Sequence, residues 1–170
     1  MLNLRLLKNI LVLFILVLLQ VLIFSKINYK YIATPYIYIL FILFYPIYRN
    51  RYIFLTLCFL LGWGIDIFEN TGGIHAFACL TIGAISRSLV RLISGMKYFE
   101  VEEFRFTNFK IGQWIVYLSL MILIHHFLLY FFESFSLDNI TEIMHRTLYS
   151  SIFTFIFVFF YLILFRKRIA

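Results

Sequence analysis

Of the 170 residues, 64% are hydrophobic and 14% are charged, a balance that a water-soluble domain of this size could carry only by exposing large apolar patches. The chain therefore reads as a membrane protein. An aromatic content of 21%, with seven Gly and two Pro, excludes a disordered, collagen-like or low-complexity chain, and in a membrane chain the net charge of +7 points to anchoring at the cytoplasmic face rather than to nucleic acid.

A bilayer core takes about 20 apolar residues per helix, and six such stretches follow one another along the chain. The first, over about 7–24, is followed by Ser25-Lys26-Ile27-Asn28 instead of a small-residue cleavage site, and so reads as a retained helix. The second covers 31–48, with Thr34-Pro35 suited to a first turn and Pro46 near its end. The third, over 52–68, and the fourth, over 75–93, are separated by a glycine turn, and the fifth and sixth cover 114–132 and 147–165. Cys58 and Cys79 lie inside apolar runs and read as small packing residues, not as a disulfide or metal pair. No span is left for a soluble domain, so the expected fold class is an all-α membrane protein of six transmembrane helices forming one domain over 1–170.

Lysine and arginine set orientation. Six crossings place Arg5, Lys8, Arg49, Arg51, Arg87, Arg91, Lys97, Arg105, Lys110, Arg166, Lys167 and Arg168 on one side and only Lys26, Lys30 and Arg146 on the other. Both termini are thus expected to be cytoplasmic, with the loops 69–74 and 133–146 on the far side. In the longest connection, 94–112, Phe99, Val101, Phe104, Phe106 and Phe109 are interleaved with polar residues such as Glu100, Glu102, Glu103 and Arg105, a pattern for a segment that hugs the membrane or docks a cytoplasmic partner.

Chemistry concentrates in the stretch from Gly62 to Ala76, which contains Gly62, Gly64, Asp66, Gly72, Gly73 and His75. An acid inside a span costs several kcal/mol unless it is paired, neutralised or beside water. Asp66 is expected to accept hydrogen bonds from backbone N–H groups of the turn or of the fourth helix, so locking the hairpin; the functional alternative makes it a contact or proton site. His75 with His125 and His126 could imitate a metal or proton-relay cluster, but neighbouring residues on a helix point about 100° apart, and each His is expected instead to bond a neighbouring helix or sit at the interface. Ala76, Cys79, Gly83 and Ser86 recur at helical spacing and let helices approach closely. Arg87 and Arg91, four apart, are placed to reach lipid phosphates or Glu102 and Glu103. The chain has no phosphate-binding glycine loop, nucleophile elbow or paired carboxylates within a span, so no catalytic, cofactor-binding or metal-binding residue is assigned and the expectation is a non-enzymatic protein.

The Gly62-x-Gly64-x-Asp66 turn leading to Gly72-Gly73-Ile74-His75-Ala76, the six-span plan and the short length resemble the bacterial rod shape-determining MreD family. Arg87 to Phe99 with the Glu100-Val101-Glu102-Glu103 that follows, and Leu123-Ile124-His125-His126-Phe127, are similar to the versions found in Bacteroidota-like bacteria. The resemblance implies a scaffold in the inner membrane, part of the cell-elongation machinery of peptidoglycan synthesis, acting beside MreC, the actin-like MreB, the polymerase RodA and a class B penicillin-binding protein. It also implies a fold like that of the substrate-binding subunits of energy-coupling-factor vitamin transporters, which supplies the alternative function. Those subunits couple through small residues spaced four apart on their first helix, whereas Asn9 to Phe24 here contains no Ala or Gly.

Overall fold

The computed structural model describes residues 4–27, 33–46, 50–95, 109–135 and 139–169, without the side chains of Arg5 and of 165–169. Over these the chain is helical: α1 (Leu4–Leu22), α2 (Leu40–Phe44), α3 (Arg51–Glu69), α4 (Ile74–Ser94), α5 (Ile111–Ser134) and α6 (Ile140–Ile169), with short 3-10 turns at Phe24–Lys26 and Ile37–Ile39. No strand forms among the described residues. Five of these helices, all but α2, are long and apolar enough to cross a membrane. Their outward faces carry Leu7, Leu11 and Phe14 on α1 and Ile152, Ile156 and Phe160 on α6, all exposed. With no water-facing polar stripe to balance them, such faces are stable only against lipid. The chain is an all-α, multi-pass membrane protein.

Local chemistry sets the helix ends. Asn50 caps α3 by accepting from the N–H groups of Tyr52 and Ile53 at 2.9 and 3.3 Å. At its far end Asn70 takes the left-handed conformation and returns its N–H to the Asp66 carbonyl. Gly95 ends α4 in the same way on the Arg91 carbonyl, and the Gln113 side chain donates to the Ile93 carbonyl at 3.1 Å, tying the start of α5 to the end of α4. α6 begins at Ile140, earlier than the expected 147. Arg146 therefore stands on a helix and not in a loop.

The second expected helix, over 31–48, is not there as one piece. Among the described residues of this stretch, Ala33 to Tyr36 are non-helical and Ile37–Phe44 coil, first as a 3-10 turn and then as α2. The cause is Pro35: a residue before proline is driven out of the α region, so Thr34 must be extended, and Pro35 itself has no N–H. Unpaired backbone in a bilayer must be satisfied by side chains, and the flanking helices do so. Thr34 N–H donates to Ser150 Oγ at 3.1 Å and Tyr36 N–H to Thr154 Oγ1 at 3.0 Å. From α1, Gln20 accepts from Ile37 N–H at 2.8 Å and donates to the Pro35 carbonyl at 3.1 Å. Tyr38, Ile39 and Leu43 are wholly buried, so this broken segment is the centre of the bundle.

Its direction follows from its contacts. Tyr36 lies beside Thr154, whereas Tyr45 stacks on Phe54 at 4.6 Å near the start of α3. Ser25, just past α1, hydrogen-bonds Glu69 at the end of α3, so α1 and α3 run parallel. The segment 33–46 carries the chain back between them. As a result Lys8, Arg51, Arg87, Arg91 and Lys110 lie toward one end of the bundle, and Lys26 and Arg146 toward the other.

Candidate functional site

The residues singled out in the sequence converge on the α3–α4 hairpin. α4 starts at Gly73, whose φ of +100° suits glycine but which has no side chain to cap the helix. Asp66, one helix earlier, supplies the missing acceptor: its carboxylate takes the N–H of His75 at 3.0 Å, the N–H of Ala76 at 2.8 Å and the Thr71 hydroxyl at 2.5 Å. The charge thus sits on the positive end of the α4 dipole with three donors around it. Such reach requires the helices to touch, and Gly62 permits it; a Cβ there would stand 2.4 Å from the His75 carbonyl oxygen and 2.5 Å from Ala76 Cα. Gly64 opens the neighbouring face to α1, where a Cβ would stand 3.1 Å from Val17 Cγ2. Gly72 has a φ of +67° in open space. Further along, Gly83 admits the Cys58 thiol at 2.8 Å from its own missing Cβ, and Cys58 and Cys79 are both free and buried.

Below this lock lies a polar core that only the fold assembles. Tyr38 Oη stands 2.7 Å from His75 Nδ1 and 3.0 Å from His125 Nε2. A phenol carries one proton, so Tyr38 donates to one of these histidines and accepts from the other. His126 faces away from the pair. Its Nδ1–H donates to the Ile122 carbonyl at 2.8 Å, and its Nε2, 3.1 Å from Thr154 Oγ1, accepts the threonine proton. Tyr130 and Ser150 hydroxyls pair at 2.6 Å. The Tyr36 ring lies among these groups, 5.2 Å from the His126 ring and 5.6 Å from that of His75. Among the described residues no three His, Cys, Asp or Glu side chains converge to hold a metal ion.

At the end of the bundle that bears Glu69, the core opens into a cavity of about 200 Å³ lined by Glu69, His75, Glu133, Arg146, Tyr36 and Thr71 among others. Arg146 binds both oxygens of Glu133, at 3.0 and 3.2 Å, and its guanidinium lies 4.4 Å from the centre of the Tyr130 ring. Glu69 accepts from Ser25, and its second oxygen is 3.6 Å from His75 Nε2.

The hairpin brings together Gly62, Asp66, Gly73 and His75, with Gly64 and Gly72 beside them, and His125 joins His75 through Tyr38. Arg87 and Arg91 stand apart, near the other end of α4; their expected partners Glu102 and Glu103, and most of the aromatic pattern of 94–112, lie outside the described residues. Sequence reasoning missed Gln20, Tyr36, Tyr38, Glu69, Ser150 and Thr154. The available signal was polarity inside apolar runs: one Gln in α1, and Ser150 and Thr154 four apart in α6, face a Pro35 that strands its neighbours' backbone groups. No protein-family model, curated protein or solved structure matches this chain.

Proposed function

We propose that this protein is a non-catalytic scaffold subunit of the bacterial cell-elongation complex in the inner membrane, a protein of the MreD kind that holds MreC beside the wall-synthesis enzymes. The observation that carries the proposal is the use made of the residues on which the resemblance rests. Gly62, Gly64, Asp66, Gly73 and Ala76 all serve helix contact and helix capping, and the Asp66 carboxylate is engaged by three donors. Residues that build a rigid hairpin suit a protein whose task is to present a fixed surface. In this proposal the segment 33–46 is the second of six crossings, and the end bearing Lys8, Arg51 and Arg87 faces the cytoplasm, because lysine and arginine accumulate there. Both termini then lie inside.

The test is to tag the C-terminus, crosslink native membranes, solubilise gently and identify by mass spectrometry what accompanies the protein, against an unrelated tagged six-span control. Specific recovery of MreC, MreB, RodA or the class B penicillin-binding protein is expected. Orientation is checked separately with single cysteines at the exposed residues Tyr52 and Phe135: an impermeant reagent added to intact cells is expected to label the second and spare the first.

The alternative, a substrate-binding subunit of a vitamin-type transporter, would have to place its ligand in the cavity beside Glu69. Its volume of about 200 Å³ is below the roughly 300–1,000 Å³ of pockets that enclose cofactor-sized ligands. That alternative requires transporter ATPases in the crosslinked fraction, or a vitamin-sized molecule in the purified protein, and no wall-synthesis protein.

A further inference from the structure

We infer that the cavity at the Glu69 end of the bundle is a binding site for a primary ammonium group. Three features of the cavity lead there. The first is charge: Glu69, Glu133 and Arg146 line it, and since both Glu133 oxygens are held by Arg146, the uncompensated negative charge belongs to Glu69. Arg146, the one Lys or Arg among the described lining residues, is balanced in charge by Glu133 through a single terminal nitrogen, and its buried Nε–H has no hydrogen-bond partner among the described residues. The second is the pair of acceptors. His75 is 4% exposed, yet it lines the cavity and its Nε2 makes no hydrogen bond among the described residues; Glu69 Oε2, at 3.6 Å, is too distant to be its partner. One ammonium has three donors and reaches both atoms with bonds of about 2.8–3.0 Å. When it does, His75 Nδ1–H donates to Tyr38, and the Tyr38 hydroxyl donates to His125 Nε2, so the buried chain of 2.7 and 3.0 Å bonds orders in one direction. The third is size, since about 200 Å³ takes a small headgroup or a few waters and not a cofactor.

A primary ammonium at this position has two sources, a free alkylamine or the ethanolamine headgroup of a phospholipid. The cavity lies where α3 and α5 end, at Glu69 and Ser134, which is the level of the headgroups for helices of this length. The full-length protein is placed in nanodiscs of phosphatidylcholine and phosphatidylglycerol, and its unfolding temperature is followed during titration with ethylammonium and with tetramethylammonium. In parallel, native mass spectrometry compares retention of phosphatidylethanolamine with that of phosphatidylcholine and phosphatidylglycerol. Ethylammonium is expected to stabilise the protein saturably and tetramethylammonium, which has no N–H, to leave it unchanged. Glu69→Gln is expected to weaken binding by about tenfold or more through loss of a charged acceptor. Arg146→Gln, which releases the Glu133 charge, is expected to tighten it. Selective retention of phosphatidylethanolamine lost in Glu69→Gln identifies the lipid as the source; a response to ethylammonium alone identifies a soluble amine. Either supports the site. Absence of both, equal response to tetramethylammonium, or binding unaltered in Glu69→Gln overturns it. Should Glu69→Gln fail to fold, Arg146→Gln decides, because unchanged or weakened ethylammonium binding there contradicts the charge argument.

Discussion

Substituting Gly62 with alanine probes the contact on which the hairpin depends. The added methyl would stand 2.4 Å from the His75 carbonyl oxygen and 2.5 Å from Ala76 N and Cα, all backbone atoms of the opposing helix. Backbone in the first turn of α4 cannot rotate aside as a side chain would, so relief requires α3 and α4 to separate. Overpacking of this kind costs about 1–3 kcal/mol. Separation also stretches the bonds from Asp66 to the His75 and Ala76 N–H groups, now 3.0 and 2.8 Å, each worth about 1.5–3 kcal/mol as a hydrogen bond to a charged group. Losing one of the two brings the expected cost to about 2.5–6 kcal/mol. Other glycines provide an internal scale. At Gly83 the nearest atom is the Cys58 thiol at 2.8 Å, a side chain able to shift, so alanine there is expected to cost about 1–2 kcal/mol. At Gly72 there is open space but a φ of +67°, and the cost is that of the left-handed conformation, about 1–2 kcal/mol. Gly112, in the first turn of α5 with nothing within 4 Å, is expected to gain up to about 1 kcal/mol. The assay is the unfolding midpoint in one detergent, read by fluorescence-detected size exclusion, with tryptophan emission as an independent probe. An alanine at 62 as stable as one at 72 or 112 would refute the reasoning, since it would mean that the two helices do not meet at Gly62.

Asp66→Asn keeps one acceptor oxygen for the start of α4 and is expected to cost about 1–2 kcal/mol, whereas Asp66→Ala strands three donors and sharply reduces accumulation in membranes; loss of all function in Asp66→Asn with folding and partner recovery intact would instead indicate a titrating role. Gln20→Leu preserves bulk but leaves the Ile37 N–H and Pro35 carbonyl without partners, at about 1–3 kcal/mol for each group, and should speed amide exchange at Ile37 by ten-fold or more. Tyr38→Phe removes the bridge between His75 and His125 without altering the ring packing; its expected result is a modest loss of stability, about 1–3 kcal/mol, with shifted imidazole 15N resonances for His75 and His125 but not for His126, whose partners are Ile122 and Thr154.

The sequence by itself determined the membrane character and five of the long helices, because apolar runs of bilayer length leave a chain few alternatives once water is gone. It also pointed to the α3–α4 hairpin: an acid inside an apolar run must find donors, and glycines on both sides of it mark where helices can close. The fate of 31–48 was decided by tertiary structure. Read alone, Pro35 is compatible with the first turn of a helix; only because Gln20 from α1 and Ser150 and Thr154 from α6 meet its backbone groups is an extended stretch stable at the centre of the bundle. The same is true of the polar core. Tyr38, His75 and His125 are separated by 37 and 50 positions, so no spacing rule links them, and their bonds exist because the broken segment delivers Tyr38 between α4 and α5. Hydropathy reports where each segment can reside; which polar atoms meet there depends on how the helices pack.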